Sequence, residues 1–248
     1  MSKSKMNIHE KYMRQCFTLA KKALGQTSPN PYVGSVIVNT KNEVISTGFH
    51  QKSGLPHAEA DALNKLPTNK ENELEGATLY CNLEPCCHLD KKTPPCAQRI
   101  IDTGITKVVI SNLDPNPKVA GKAVKLLQDA GIDVTTGILE AEGKILNEVF
   151  FTHITMKRPF IHLKWAQTLD GKTSTYSGDS KWISNPSARE YVHQERNLYD
   201  AILVGANTVM TDNPHLTVRI NNTESAIKRI ILAPTQFKNI PQNSHILN

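Results

Sequence analysis

The chain has 248 residues, 39% hydrophobic and 21% charged, with a formal net charge of +6. That balance belongs to a globular protein long enough for two domains, and it excludes a disordered or low-complexity chain. No apolar run reaches the ~18 residues of a membrane span, and the start, MSKSKMNIHEKYM, lacks the apolar stretch of a secretory signal, so the chain reads as cytoplasmic.

Taken in order, residues 8–24 place Tyr12, Cys16, Leu19, Ala20 and Ala23 at helical spacing, with Gly25 as the stop. Val33–Val38 and Glu43–Phe49 are predicted strands joined by a short hairpin, and His57–Leu66 is a predicted helix between Pro56 and Pro67. Strand Ala77–Leu83, helix Pro95–Asp102, strand Lys107–Ser111, helix Ala120–Ala130, strand Ile132–Thr136 and helix Leu139–Phe151 follow. This alternation predicts a layered α/β domain. The pattern then restarts with a strand at Phe160–Ala166, a helix at Ser187–Arg196 behind the Ser184–Asn185–Pro186 cap signal, a buried strand at Ala201–Val204 and a strand at Arg229–Leu232. Met156–Pro159 is the expected linker, and the domains are expected at 1–152 and 153–248.

The five cysteines, Cys16, Cys81, Cys86, Cys87 and Cys96, are odd in number. With no export signal they suggest metal ligands rather than a disulfide framework. His57-Ala58-Glu59, Pro85-Cys86 and Pro94-Pro95-Cys96 all lie at predicted helix starts or their approaches. One imidazole and two thiolates, with a fourth position left for water, make the ligand set of a catalytic zinc. Zinc brings hydroxide within reach of neutral pH. Glu59, two residues after the ligand histidine, is the candidate proton carrier, as in the H-x-E…P-C pattern of zinc nucleobase deaminases. A purely structural zinc would need a fourth protein ligand, for which Cys87 and His88 are candidates. Cys16 and Cys81 read as small buried hydrophobes.

On these residues, together with TSPNPYVG (27–34), LEPCCH (83–88), TPPC (93–96), DPNPKVAG (114–121), LDGK (169–172), GDSKWIS (178–184) and TDNPHLTVR (211–219), the chain resembles the bifunctional riboflavin-biosynthesis deaminase/reductase family. The resemblance implies a cytidine-deaminase-like α/β/α domain followed by part of a dihydrofolate-reductase-like α/β domain. It implies a zinc-dependent deamination of a diamino-hydroxy-pyrimidinone carrying a ribosylamino 5′-phosphate, then reduction of the ribosyl chain with NADPH.

By the same resemblance, His57, Cys86 and Cys96 hold zinc, Glu59 is catalytic, and Asn30 shapes the pyrimidine pocket, although Asn30 also reads as a plain turn residue. Ala166, Trp182, Thr208 and Asp212 fall on the NADPH side; Ser180, Arg196, Leu216 and Arg219 fall on the substrate side. Trp182 reads equally well as a core residue, and each arginine as a solvated charge. The Cys86–Cys96 spacing is one residue longer than the family's, so Cys87 stays open as the ligand in place of Cys86. The family's reductase continues past the point where this chain stops. The expectation is therefore a chain that deaminates without reducing.

The mild positive charge suits a phosphate-bearing small molecule. Without a Lys/Arg block interleaved with aromatics, it does not point to nucleic acid. A deaminase of another base or nucleoside, of cytidine, guanine or transfer-RNA adenosine type, is the second expectation, and a non-catalytic zinc module the third. Homo-oligomerisation is left open.

Overall fold

The structure, a computed structural model, describes residues 7–87, 95–117, 119–221, 223–235 and 240–247. The chain divides into two compact units, Met1–Ile161 and His162–Asn248.

The first unit is built on a five-stranded sheet. Helix α1 (Ile8–Ala20) leads into the hairpin β1 (Gly34–Val38) and β2 (Val44–Phe49). Then come α2 (Ala58–Asn64), β3 (Thr78–Leu83), α3 (Cys96–Ile101), β4 (Lys107–Asn112), α4 (Lys122–Asp129), β5 (Asp133–Thr135), α5 (Glu140–Leu146) and α6 (Glu148–Met156). The strand order is β2-β1-β3-β4-β5. β1 runs antiparallel to both β2 and β3, whereas β3, β4 and β5 are parallel. Parallel neighbours need a crossover between them, and α3 and α4 supply it.

The central strands are apolar on both faces because helices cover both. Alternation along each strand sends successive side chains to opposite sides. Ile37, Leu79, Cys81, Val108 and Ile110 face a core that includes Ala62 of α2, Ala97 and Ile100 of α3, and Ala123 and Leu127 of α4. Val36, Val38, Tyr80 and Val109 face the other core, with Tyr12, Met13, Cys16 and Phe17 of α1 and partly buried Leu146 of α5. The result is a three-layer α/β/α unit. Cys16 and Cys81 are fully buried in these two cores, and burial pushes both thiols well above their usual pKa.

The predicted helix at Leu139–Phe151 is two helices. Asn147 leaves the helical conformation between α5 and α6, with φ −110° and ψ 24°. Its side chain is engaged with the backbone of Tyr32, 115 residues away, so a tertiary contact accompanies the break.

The second unit contains α7 (Pro186–Arg196), β6 (Ala201–Gly205), α8 (Ala206–Asp212), β7 (Val218–Ile220), β8 (Thr223–Ser225) and β9 (Lys228–Leu232). Asn185 caps α7 by accepting from the Ala188 N–H at 2.8 Å. β6 pairs in parallel with β9, and β7 pairs antiparallel with β8. A small core gathers Val209, Leu216 and Ile246, with Ile202, Val204 and Ile231 packed beside it.

Two expectations need correction. Residues 160–166 form no strand, and Ile161, Leu163 and Trp165 are 66%, 74% and 64% exposed. Their alternation suits a strand, but no neighbouring strand pairs with them among the described residues, and an unpaired segment has no ladder to hold it. β6 does form, but it is only half-buried. α8, β7 and β8 carry no clear signal in the sequence, because each is short and bounded by residues without a strong period.

Candidate metal and substrate site

The site lies where β3 ends and α2 and α3 begin. α2 is held close to β2 by Gly48, where a Cβ would stand 2.4 Å from the Ala58 carbonyl oxygen and 2.3 Å from the Ala62 nitrogen. No other residue fits there without moving the helix, so the start of α2 is fixed relative to the sheet. His57 is the residue before that helix, and Glu59 lies in its first turn. Cys96 opens α3 after Pro95, and Cys86 follows β3 by way of Glu84 and Pro85.

The three candidate ligands converge. His57 Nδ1 is 3.5 Å from Cys86 Sγ and 3.5 Å from Cys96 Sγ. The three donor atoms all lie within 4.8 Å of one another. The Cys96 backbone N–H also points at Cys86 Sγ, at 3.4 Å. This hydrogen bond and the start of α3 both favour negative charge on sulfur. The Cys86 thiol is pushed down to about 3, mainly by the hydrogen bond with Cys96 and also by His57. Cys96 is pushed up by the same hydrogen bond and by burial. A soft N,S,S donor set of this kind fits zinc. Cys87 is not in this group; it packs against the core formed by β1, β3 and β4. His88, the other fourth-ligand candidate, lies outside the described residues, as does the rest of the 88–94 loop.

Glu59 is 3% exposed and lies on the wall of a cleft of about 280 Å³ that also exposes His57 and Cys86. Burial raises its carboxyl above the usual range, while the nearby His57 opposes that shift. A buried carboxyl on the cleft wall is a candidate proton carrier.

Asn30 and His50 lie on the same cleft. His50 Nδ1 sits 3.0 Å from the Pro56 carbonyl oxygen, which can only accept, so the hydrogen-bond network assigns the proton to Nδ1. His50 Nε2 then accepts from Asn30 Nδ2 at 3.1 Å, which fixes the orientation of the Asn30 amide. The Asn30 turn is held from behind by two buried asparagines. Asn147 accepts from the Tyr32 N–H at 2.7 Å and donates to its carbonyl at 3.0 Å. Asn82 also donates to that carbonyl, at 2.9 Å, and accepts from the Gly34 N–H at 2.7 Å. Glu84, Asp114, Asn116, Val119 and Phe150 also line the cleft.

Sequence reasoning singled out Asn30 but not His50, Asp114 or Asn116. The DPNPKVAG motif carried a signal for the last two; a lone histidine after a strand carried none.

In the second unit the structure brings Arg196 and Arg219 to one residue. Arg196 Nη1 donates to the Thr217 carbonyl at 2.6 Å, and Arg219 Nη1 donates to Thr217 Oγ1 at 3.0 Å. Leu216 is buried beside them, while Arg219 is exposed. Burial and the facing Arg219 both lower the Arg196 pKa. Thr208 and Asp212 are both exposed on α8. Ala166, Ser180 and Trp182 lie in the irregular stretch before α7. Trp182 is 69% exposed, so it is not a core residue, and the Arg189 guanidinium stands 4.5 Å from its ring centre.

Comparison with known proteins matches both units. Residues 6–112 match the cytidine and deoxycytidylate deaminase zinc-binding region, and residues 159–248 match the RibD C-terminal domain. The Acinetobacter baumannii RibD structure (form 2) superposes with a TM-score of 0.85 at 39% identity, over 98% of this chain and 68% of that one. The chain belongs to the RibD family. The family's riboflavin biosynthesis protein from Aquifex aeolicus is 48% identical over 97% of this chain and 65% of its own length. The diaminohydroxyphosphoribosylaminopyrimidine deaminase/5-amino-6-(5-phosphoribosylamino)uracil reductase of Thermotoga maritima has a TM-score of 0.82 at 47% identity, covering 90% of this chain and 62% of that one. The chain spans between about half and two thirds of the length of curated relatives it matches, 65%, 56% and 54% of three of them. No helix among the described residues is long and apolar enough to cross a membrane.

Proposed function

We propose that the first unit is a zinc-dependent deaminase acting on 2,5-diamino-6-ribosylamino-pyrimidin-4-one 5′-phosphate in riboflavin biosynthesis. The observation that carries this reading is the convergence of His57 Nδ1, Cys86 Sγ and Cys96 Sγ, with His57, Cys86 and buried Glu59 lining one cleft. Zinc, when bound, acts as a Lewis acid that makes water nucleophilic near neutral pH. His57, Cys86 and Cys96 hold it. Glu59 takes a proton from the attacking water and passes it to the departing amine, so that water is consumed, ammonia leaves and the amino-bearing ring carbon becomes a carbonyl carbon. The neighbouring His50 fixes the Asn30 amide against the pyrimidine. The assignment gives residues 1–152 to the deaminase and 153–248 to a reductase portion.

For that second part, we infer the first portion of an NADPH-dependent reductase of the product's ribosyl chain, which by itself is expected not to turn over. Ala166, Trp182, Thr208 and Asp212 face the cofactor; Ser180, Arg196, Leu216 and Arg219 face the substrate. Two guanidiniums anchored on Thr217 are suited to a phosphate. The setting is the cytoplasm, and the substrate is a phosphorylated small molecule rather than a nucleic acid.

The test of the deaminase is ammonia release by the zinc-loaded chain from the pyrimidine phosphate, with cytidine and a transfer-RNA stem-loop as controls. Release from a control alone overturns the substrate. NADPH oxidation in the presence of the deaminated product tests the second activity.

A further inference from the structure

Glu84 sits between the strand that leads to Cys86 and the segment that supplies Asp114 and Asn116 to the cleft. It is 3% exposed, and its own N–H donates to the Asn112 carbonyl at 2.9 Å, which continues the β3–β4 pairing. Its carboxylate accepts four backbone N–H groups. Oε2 takes those of Asp114 at 3.2 Å and Gly121 at 2.9 Å. Oε1 takes those of Ala123 at 3.1 Å and Val124 at 3.4 Å.

The first pair closes the segment between Asp114 and Gly121 on a single oxygen. The second pair satisfies two of the N–H groups that the first turn of α4 leaves without intrahelical partners. α4 has no cap of its own, because the residue at its N-cap is Gly121, at φ 77°, a backbone conformation that favours glycine. A carboxylate from another strand takes the place of that cap, in the position where the helix start favours a negative charge. Between the two pinned ends, Asp114, Asn116 and Val119 line the cleft.

We propose that Glu84 is a positioning residue for the reaction: its carboxylate holds the 114–121 segment in the shape that presents Asp114 and Asn116 to the pyrimidine. This rests on the deaminase reading. Glu84 also lines the cleft, but both of its carboxylate oxygens are engaged by backbone N–H groups, so it acts through the backbone of the segment. Charge-assisted bonds of this kind are stronger than neutral ones, and an amide in the same place would turn a donor toward two N–H donors.

The test compares zinc-loaded wild type with Glu84→Gln and Glu84→Ala. The expected result is unchanged zinc content and a kcat/KM lower by roughly 10–100-fold, the usual worth of a residue that orients a site without entering it, carried mostly in KM. Glu84→Gln, which keeps one acceptor oxygen, should lose less than Glu84→Ala. Amide hydrogen exchange should accelerate at Asp114, Gly121, Ala123 and Val124 and stay slow in β1 and β3. Wild-type kcat and KM in both variants, or a lowered Tm with unchanged kinetics, would make Glu84 a helix cap only and overturn the proposal. So would loss of zinc, which would place the effect at the metal.

If the wild-type chain itself releases no ammonia from the pyrimidine phosphate, the deaminase reading fails on its own. Calorimetric binding of that compound then decides the positioning claim. Weaker binding by the variants supports it; equal binding, or none by any of the three proteins, sinks it.

Discussion

The two units use similar elements and arrive at different degrees of enclosure. In the first, a five-stranded sheet has helices on both faces, and Leu79, Val108 and Ile110 are wholly buried. In the second, the two-stranded sheet of β6 and β9 packs beside a small core of Val209, Leu216 and Ile246, β7 and β8 form a separate two-stranded sheet, and Leu203 and Leu232 are 57% and 67% exposed. The difference teaches where a chemically tuned site can be built. Burial around Glu59 raises its carboxyl, and hydrogen bonding around Cys86 lowers its thiol. Thr208, Asp212 and Arg219 are exposed, so solvent competes for whatever they bind.

The largest expected effect is at the ligands. Cys86→Ser should release zinc and abolish ammonia production, whereas Cys87→Ser should do neither; metal analysis of the purified variants checks both. Zinc retained in the first variant and lost in the second would move the ligand to Cys87. Next comes Glu59→Gln, which should keep zinc and fold but lose deamination by about two to four orders of magnitude, the worth of a general acid and base. Steady-state rates decide it, and near-normal turnover would assign the proton to another group.

The third effect is on stability and bears directly on the contrast between the units. Leu79→Ala should cost about 2–5 kcal/mol, because it opens a cavity in a closed core. Leu232→Ala, at an exposed position, should stay within about 0.5 kcal/mol. Denaturant titration compares them, and equal costs would erase the contrast. Asn147→Ala should cost about 1–3 kcal/mol through the Tyr32 N–H left without its acceptor, while the Tyr32 carbonyl keeps Asn82. It should also raise KM, because the Asn30 turn loses its support; an unchanged KM would show that Asn82 holds the turn alone. The smallest effect is expected at the exposed Arg14–Glu142 pair, 2.6 Å apart. Its removal should change stability by less than about 1 kcal/mol, and less still in high salt.

Much of the first unit was legible before the structure. The predicted elements from α1 to β5 stand within a few residues of their observed bounds, because their apolar periods match faces that are buried. The second unit was read less well. The alternation at Ile161, Leu163 and Trp165 has the period of a strand, but a period cannot supply the neighbour that a strand needs.

What the sequence alone determined about this protein is the kind of chemistry: a histidine, a glutamate two residues on and two cysteines after prolines are legible because ligand type and local spacing are local facts. Only the tertiary structure decided which sulfur turns toward His57, that Glu84 closes the 114–121 segment, and that Asn147 carries the turn of Asn30. Each of those is a hydrogen bond or close approach across tens of residues in sequence. Its strength depends on burial and direction, and neither exists until the sheet and its helices have packed.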